Sequence, residues 1–253
     1  MKADTFAKLV VLQTLVDAEV GYLLEHRTSS LDHFREGMIT RVSDLVDEID
    51  VLDAVAAART YDAIVDFLAD LPDDEGGIVE STLRFQRAMM RTIDRGMELS
   101  ELRQASTWAV VLDELLDELA REYHNALPAA GETRPREYAR AEALLARARE
   151  AAERVAAEVG GNSGAELRAD IDRLAFAVRH RRLPALEVEP LIRTPQQRAA
   201  RHRPSPLSRI GAFVLGQVLS RDRRRRKGEP PDGVERRKSP PAPPERRRRG
   251  AER

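Results

Sequence analysis

The sequence predicts an all-α protein: a helical bundle followed by a long disordered Arg/Pro-rich C-terminal tail with one short amphipathic helix. Apolar residues recur every three or four positions up to about residue 180, which is the period of an α-helix and not of a strand. Hydrophobic residues make up 42% of the 253 residues, enough for a core in the first two thirds. Proline and arginine dominate after residue 181, where no core is expected.

Charge is divided unevenly along the chain. Residues 1–130 carry 12 lysines and arginines against 26 acidic residues, residues 131–190 carry 11 of each, and residues 191–253 carry 19 against 6. The formal net charge of −1 therefore hides an acidic front and a basic end. This layout is typical of a folded domain with an arm that binds a polyanion.

An acidic domain of five helices is predicted over residues 1–125, the first over residues 6–24. The second, preceded by the capping-box-like pair Ser29 and Asp32, has the clearest apolar stripe: Leu31, Phe34, Met38, Val42, Leu45, Ile49 and Leu52. The third ends before a loop over residues 72–77, where proline and paired glycines break the backbone. The fourth has apolar positions at Val79, Leu83, Met90, Ile93 and Met97, and the fifth runs from Ser100 to Tyr123.

A linker over residues 126–135 leads to an Ala/Arg/Glu-rich helical pair over residues 136–180. The apolar stripe of its first helix, at positions 138, 141, 145, 148, 152, 155 and 159, is mostly alanine. Burying apolar area gains only about 25 cal/mol per Å², so a stripe of methyl groups needs close packing on a neighbour. Gly160 and Gly161 are expected to end this helix, and the second runs to about His180.

A disordered basic tail is predicted over residues 181–253, with one short helix at about residues 206–220. Ser205 suits its cap and Pro206 its first position. Its predicted docking side consists of Leu207, Ile210, Val214, Leu215, Val218 and Leu219. Thirteen residues span only about 20 Å, so the helix would lie on an anionic membrane without crossing it. The simpler alternative is docking on its own domain or on a partner protein.

Three basic clusters in this tail are the predicted binding site for an anionic partner. They contain Arg221, Arg223, Arg224, Arg225, Arg226, Lys227, Arg236, Arg237, Lys238, Arg246, Arg247, Arg248 and Arg249. Because no aromatic residue lies among them, nucleic-acid contact would be to the backbone and independent of base sequence. The equally weighted alternative is a solvated tail that folds back on the acidic domain.

Catalytic, metal and cofactor sites are not predicted. The sequence has no phosphate-binding loop, dinucleotide fingerprint or nucleophile elbow, and among five histidines only His33 has a carboxylate, Glu36, at helical spacing. Trp108, Met89, Met90 and Met97 are predicted to pack in the core, with a ligand pocket as the alternative. Eight carboxylates are expected to face water: Asp44, Asp47, Glu48, Asp50, Asp113, Glu114, Asp117 and Glu118.

One stretch resembles a known family. Residues 83–102, LRFQRAMMRTIDRGMELSEL, with Gly96 between two helices and a following helix that ends in LLDEL at residues 115–119, resemble the N-terminal sensor domain of RsbR-type stress-signalling proteins. The resemblance covers about residues 34–123. It implies a helical, globin-like fold without haem and a dimeric signalling module. It implies no catalytic residue, and the output domain expected after it does not follow.

The sequence therefore predicts a non-enzymatic interaction or adaptor protein whose basic tail engages an anionic partner. One alternative is a ligand- or partner-sensing regulatory module of the RsbR type. Another is an assembly scaffold that docks through its tail on a shell, a membrane or nucleic acid. A protein partner is expected, with nucleic acid, an anionic membrane and a homodimer as further partners. Absent cysteine favours the cytoplasm, with a peripheral position at a membrane or shell as the alternative.

Overall fold

The computed structural model describes residues 1–26, 31–69, 71–72, 74–127, 133–180 and 184–203, apart from the side chains of Asp32 and His33. These residues form nine α-helices and no strand, which confirms the all-α prediction. The helices are α1 (Ala3–Glu25), α2 (Leu31–Leu52), α3 (Ala54–Ala69), α4 (Glu75–Gly96), α5 (Leu99–Leu102), α6 (Ala105–Ala126), α7 (Pro135–Val159), α8 (Gly161–Arg179) and α9 (Ala185–Ala200).

Helices α1, α6 and α7 form the centre of the bundle. Their apolar residues at helical spacing, such as Leu9 and Leu12 of α1 and Leu112 and Leu115 of α6, are almost fully buried. Helices α2 and α4 pack on α1, and α3 packs on both of them. Helix α8 packs on α7, and α9 packs on α6 and α8. The unit Met1–Arg203 therefore shares one core, and the helices on either side of the predicted linker belong to it together.

Close packing of α7 follows from its alanines. Ala141, Ala148 and Ala151 are fully buried, and the predicted stripe is confirmed except at Val159, which is half-buried. Helix α7 ends at Val159. The next residue, Gly160, has a φ of 66°, which favours glycine, and α8 begins directly after it. The alanine stripe is therefore satisfied inside the chain, mainly by α6, with α8 and α1 beside it.

The stripe predicted for α2 is confirmed from Phe34 to Ile49, while Leu52 at its end is exposed. The prediction for α4 is wrong at three positions. Its buried face carries Ile78, Phe85, Met89 and Ile93, whereas Val79, Leu83 and Met90 are 42%, 45% and 49% exposed. Helix α4 has two apolar stripes, and α1 and α3 cover only one of them.

Helix α9 corrects the predicted start of the disordered tail. Residues 185–200 are helical although they contain Pro190 and Pro195, and a proline inside a helix has no N–H to donate to the preceding turn. Val188, Ile192 and Ala199 are buried at helical spacing, so packing on α6 and α8 offsets the backbone hydrogen bonds that the prolines lack. The predicted helix at residues 206–220 lies outside the described residues.

Candidate functional site

The residues predicted to bind an anionic partner, in clusters at 221–227, 236–238 and 246–249, lie outside the described residues, as do the apolar positions predicted for docking between 207 and 219. The structure brings together other charged side chains, which are far apart in the sequence. Most of them lie on α1, α2, α6 and α7.

Three buried glutamates form the most concentrated group of charges in the described residues. Glu19 of α1 and Glu118 and Glu122 of α6 are each no more than 2% exposed. The expectation that Glu118 faces water is therefore wrong. Residues 118 and 122 lie three positions after Leu115 and Leu119, so their side chains share the buried stripe of α6. A glutamate three positions after a buried leucine was therefore the feature of the sequence that could have indicated these buried charges.

Arginines of α7 neutralise the first of these carboxylates. Arg136 donates a hydrogen bond from Nε to Glu19 Oε2 at 2.7 Å. Arg140 contacts Glu19 as well, and its Nη1 lies 3.5 Å from Glu122 Oε2. Two arginines of α7 thus tie this helix to one glutamate of α1 and one glutamate of α6.

Arg41 of α2 completes the group, which we call the buried Glu/Arg network: Glu19, Arg41, Glu118, Glu122, Arg136 and Arg140. Arg41 Nη2 lies 3.0 Å from Glu122 Oε1 and also contacts Glu118. Arg121 on the outer side of α6 pairs with Glu118 at 2.6 Å. Because each of the three buried carboxylates faces at least two guanidinium groups, these charges link four helices, α1, α2, α6 and α7.

A second charged cluster joins α1, α2 and α6 at the surface. The Lys8 ammonium lies 2.6 Å from both Glu48 and Glu114. Burial alone would lower the pKa of Lys8, but its hydrogen bonds to Glu114 and Glu48 outweigh that effect and raise it. Of the eight carboxylates expected to face water, Asp44, Asp47, Asp50 and Asp117 do so, and Asp113, Glu48 and Glu114 are half-buried.

Among the carboxylates of the described residues, Asp17 of α1 has a raised pKa. Burial raises its pKa above the ordinary value, against the opposing effects of the amide of Gln86, which donates a hydrogen bond at 2.9 Å, and of the charge of Arg147. The Gln86 contact joins α4 to α1.

Core packing is confirmed for Trp108, Met89 and Met97, which are all buried. The Trp108 indole donates a hydrogen bond to the Leu102 carbonyl at 2.7 Å, and its ring meets Phe6 edge-on with 5.6 Å between the ring centroids. The structure therefore gives Trp108 a packing role. Met90 instead lies at the surface.

The exposed side of α4 is the most distinctive surface of the described helices. We call it the α4 outer face and define it by an apolar row, Val79, Leu83 and Met90, and a basic row, Arg84, Arg87, Arg91 and Arg95. Of the nine described helices, only α4 has more basic than acidic side chains. A surface cavity of about 1000 Å³ lies against α3 and α4 and includes Leu83, Met90 and three of the arginines in its lining.

A smaller cleft of about 430 Å³ lies between α6 and α9. Its lining includes the apolar side chains Leu186 and Ile192 and the polar side chains Arg121, His124 and Glu189. Arg41 reaches this cleft from the buried Glu/Arg network, so the cleft is in contact with the charges that hold the bundle together.

Within the described ranges, no three histidine and carboxylate side chains come together in a way that would hold a metal ion. None of the helices in the same ranges combines the length and the apolar character needed to cross a bilayer.

Comparison with known proteins gives no relative for this chain: no protein-family model matches it, and neither a curated protein nor a solved structure is similar to it. The resemblance to RsbR-type sensor domains therefore stays a prediction.

Proposed function

We propose that this chain is a non-enzymatic interaction protein whose basic C-terminal residues engage an anionic partner while the helical bundle binds protein. The observation that carries the proposal is the charge layout, with 19 basic against 6 acidic residues in the last 63 positions and 12 against 26 in the first 130. Clustered guanidinium groups bind phosphate-rich partners by displacing counterions, so the affinity falls steeply with salt. The proposed cellular location is the cytoplasm.

The test is the salt dependence of binding by the full chain. The probes are duplex DNA, followed by fluorescence anisotropy, and vesicles rich in anionic lipid, followed by sedimentation. We expect replacement of Arg223, Arg224, Arg225 and Arg226 by glutamine to weaken binding. On DNA, log affinity falls with log salt, and each lost phosphate contact lowers the magnitude of that negative slope by about 0.9, so the loss of four contacts lowers it by about 3.6.

A matched control removes the same charge from the bundle surface. It replaces Arg59, Arg103, Arg134 and Arg179, which are all exposed, by glutamine. The control is expected to keep the slope and most of the affinity, because these arginines are scattered over four different segments. Equal losses in both variants would mean that net charge, and not the basic cluster, governs binding, and the proposal would fail.

Sensing of a small ligand is the second candidate function, favoured by the cleft between α6 and α9. A ligand carboxylate there would meet Arg121 and His124, and contact with Arg41 would couple its binding to the buried Glu/Arg network. A panel of small carboxylates is expected to raise the melting temperature of the wild type and not that of Arg121→Gln. If no member stabilises the wild type, the sensing function is contradicted.

A further inference from the structure

We propose that the α4 outer face is a docking site for an acidic amphipathic helix of a partner protein. This surface is separate from the basic clusters on which the proposed function rests. It lies on a described helix, its occupant is a protein segment, and its contacts are apolar as well as charged.

The apolar row has the spacing of a helix-packing seam. Val79, Leu83 and Met90 follow one another at steps of four and seven, which keeps them on one side of α4. Gln86 lies between them in the sequence and is held by Asp17 of α1. The three apolar members are only about half covered by the bundle. At 1.5 Å per residue the row is about 16 Å long, which is three turns of a docked helix. An apolar row that no other helix of the described residues covers can bind the apolar face of an amphipathic helix, as in helix-in-groove complexes.

The basic row sets the charge of the occupant. Arg84, Arg87 and Arg91 lie along one side of the apolar row, at spacings of three and four residues, and line the same cavity as Leu83 and Met90. A helix lying on the apolar row would bring its flanking side chains beside these guanidinium groups. Glutamate or aspartate at those positions would form charge-assisted hydrogen bonds, whereas lysine or arginine would be repelled.

A second copy of the chain fits this face less well. In a two-fold symmetric dimer the same surface meets itself, so the arginines of one α4 would lie near those of the other. Pairing the basic row with the acidic side of another copy would instead join unlike surfaces and lead to open-ended assembly.

A flat anionic surface fits less well too. The acidic side chains Asp62 and Asp66 of α3 and Glu80 and Asp94 of α4 are exposed on the same two helices. A bilayer or a DNA duplex broad enough to cover α4 would face all four carboxylates. A single helix along the apolar row covers a narrower strip, and in the lining of the cavity there Asp66 stands against three arginines. Charge complementarity therefore favours a protein helix.

The test is binding of designed 18-residue peptides to the full chain, measured by fluorescence anisotropy. The first peptide has leucines at steps of three and four with glutamates beside them. The second keeps the glutamates and replaces the leucines by serine, and the third keeps the leucines and replaces the glutamates by lysine. We expect the first peptide to bind at least about tenfold more tightly than either of the others, because burial of the half-exposed row and the charge pairs contribute together.

Two variants place the binding on α4. Leu83→Gln with Met90→Gln is expected to weaken binding of the first peptide by about tenfold or more. The matched control changes Leu52 and Leu99, two exposed leucines on other helices, to glutamine and should leave binding unchanged. Circular dichroism checks that both proteins are folded.

The tail arginines provide the remaining control, since they would attract any acidic peptide. The Arg223–226 glutamine variant is expected to keep the preference for the leucine-containing peptide, so the docking site and the proposed tail function are tested separately. The inference is overturned if the preference is lost in the tail variant, if the α4 variant binds as the wild type does, or if the α4 substitutions abolish self-association, vesicle binding or DNA binding instead.

Discussion

Substitution of Arg140 by methionine tests whether the buried Glu/Arg network holds the bundle together. Methionine keeps an apolar stem, so the main change is the loss of one guanidinium group that is 11% exposed and lies between Glu19 and Glu122. Removing one partner of a buried ion pair costs about 3–5 kcal/mol, because a carboxylate is left without compensation in a medium that solvates it poorly. Glu19 keeps Arg136 and Glu122 keeps Arg41, so we expect the lower end, about 3 kcal/mol.

The assay is urea unfolding of the full chain followed by far-ultraviolet circular dichroism. In a thermal melt of a folded unit of this size, the same loss of about 3 kcal/mol corresponds to a fall in melting temperature of about 6–12 °C. The control is Arg168→Met, which removes an exposed pair between α7 and α8, 2.8 Å from Glu153. Exposed pairs contribute about 0–1 kcal/mol. If Arg140→Met costs no more than Arg168→Met, the network does not stabilise the fold and the reasoning is refuted.

Two further changes test the packing and protonation of the bundle. Because burial raises the pKa of Asp17, the folded state holds its proton more tightly than the unfolded state, and this group's contribution to stability falls as the pH rises from 3.8 through the raised pKa. Asp17→Asn is therefore expected to raise the free energy of unfolding at neutral pH and to change it little in acid below that window; equal effects at both pH values would contradict the assignment. Gly164→Ala would place a Cβ 2.6 Å from the Ala156 carbonyl oxygen, so we expect it to lower the free energy of unfolding in urea by about 1–3 kcal/mol. A Cβ at Gly21 would have no neighbour within 4 Å, so Gly21→Ala should raise the free energy of unfolding by about 0.5–1 kcal/mol. A stable Gly164→Ala protein would show that α7 and α8 are free to move apart.

Periodicity predicted the helices well where one face is apolar and the other charged. Helix α2, with Phe34, Met38 and Val42 in one stripe, is the clearest example. Periodicity failed for α4, because Met89 and Met90 are adjacent and belong to different stripes. Which stripe is buried depends on the positions of α1 and α3, and a single helix carries no information about its neighbours.

Helix α9 and the buried Glu/Arg network were missed for a related reason. Pro190 and Pro195 disfavour a helix locally, and only the surfaces of α6 and α8 make the helix favourable. Likewise, Glu118 is costly to bury unless Arg41 arrives from another helix about 77 positions away in the chain. In both cases the local sequence indicated the energetic cost, of prolines in a helix and of a buried carboxylate. It did not indicate the contact with a distant helix that offsets this cost.

The position of Trp108 gives the protein a built-in optical reporter. It is the single tryptophan of the chain, and its ring lies against Phe6 of α1, with the Arg154 guanidinium of α7 4.3 Å from the ring centroid. Its emission therefore depends on the junction of the three central helices. Since residues 204–253 contain no tryptophan, intrinsic fluorescence excited in the indole band follows opening of the bundle without a label.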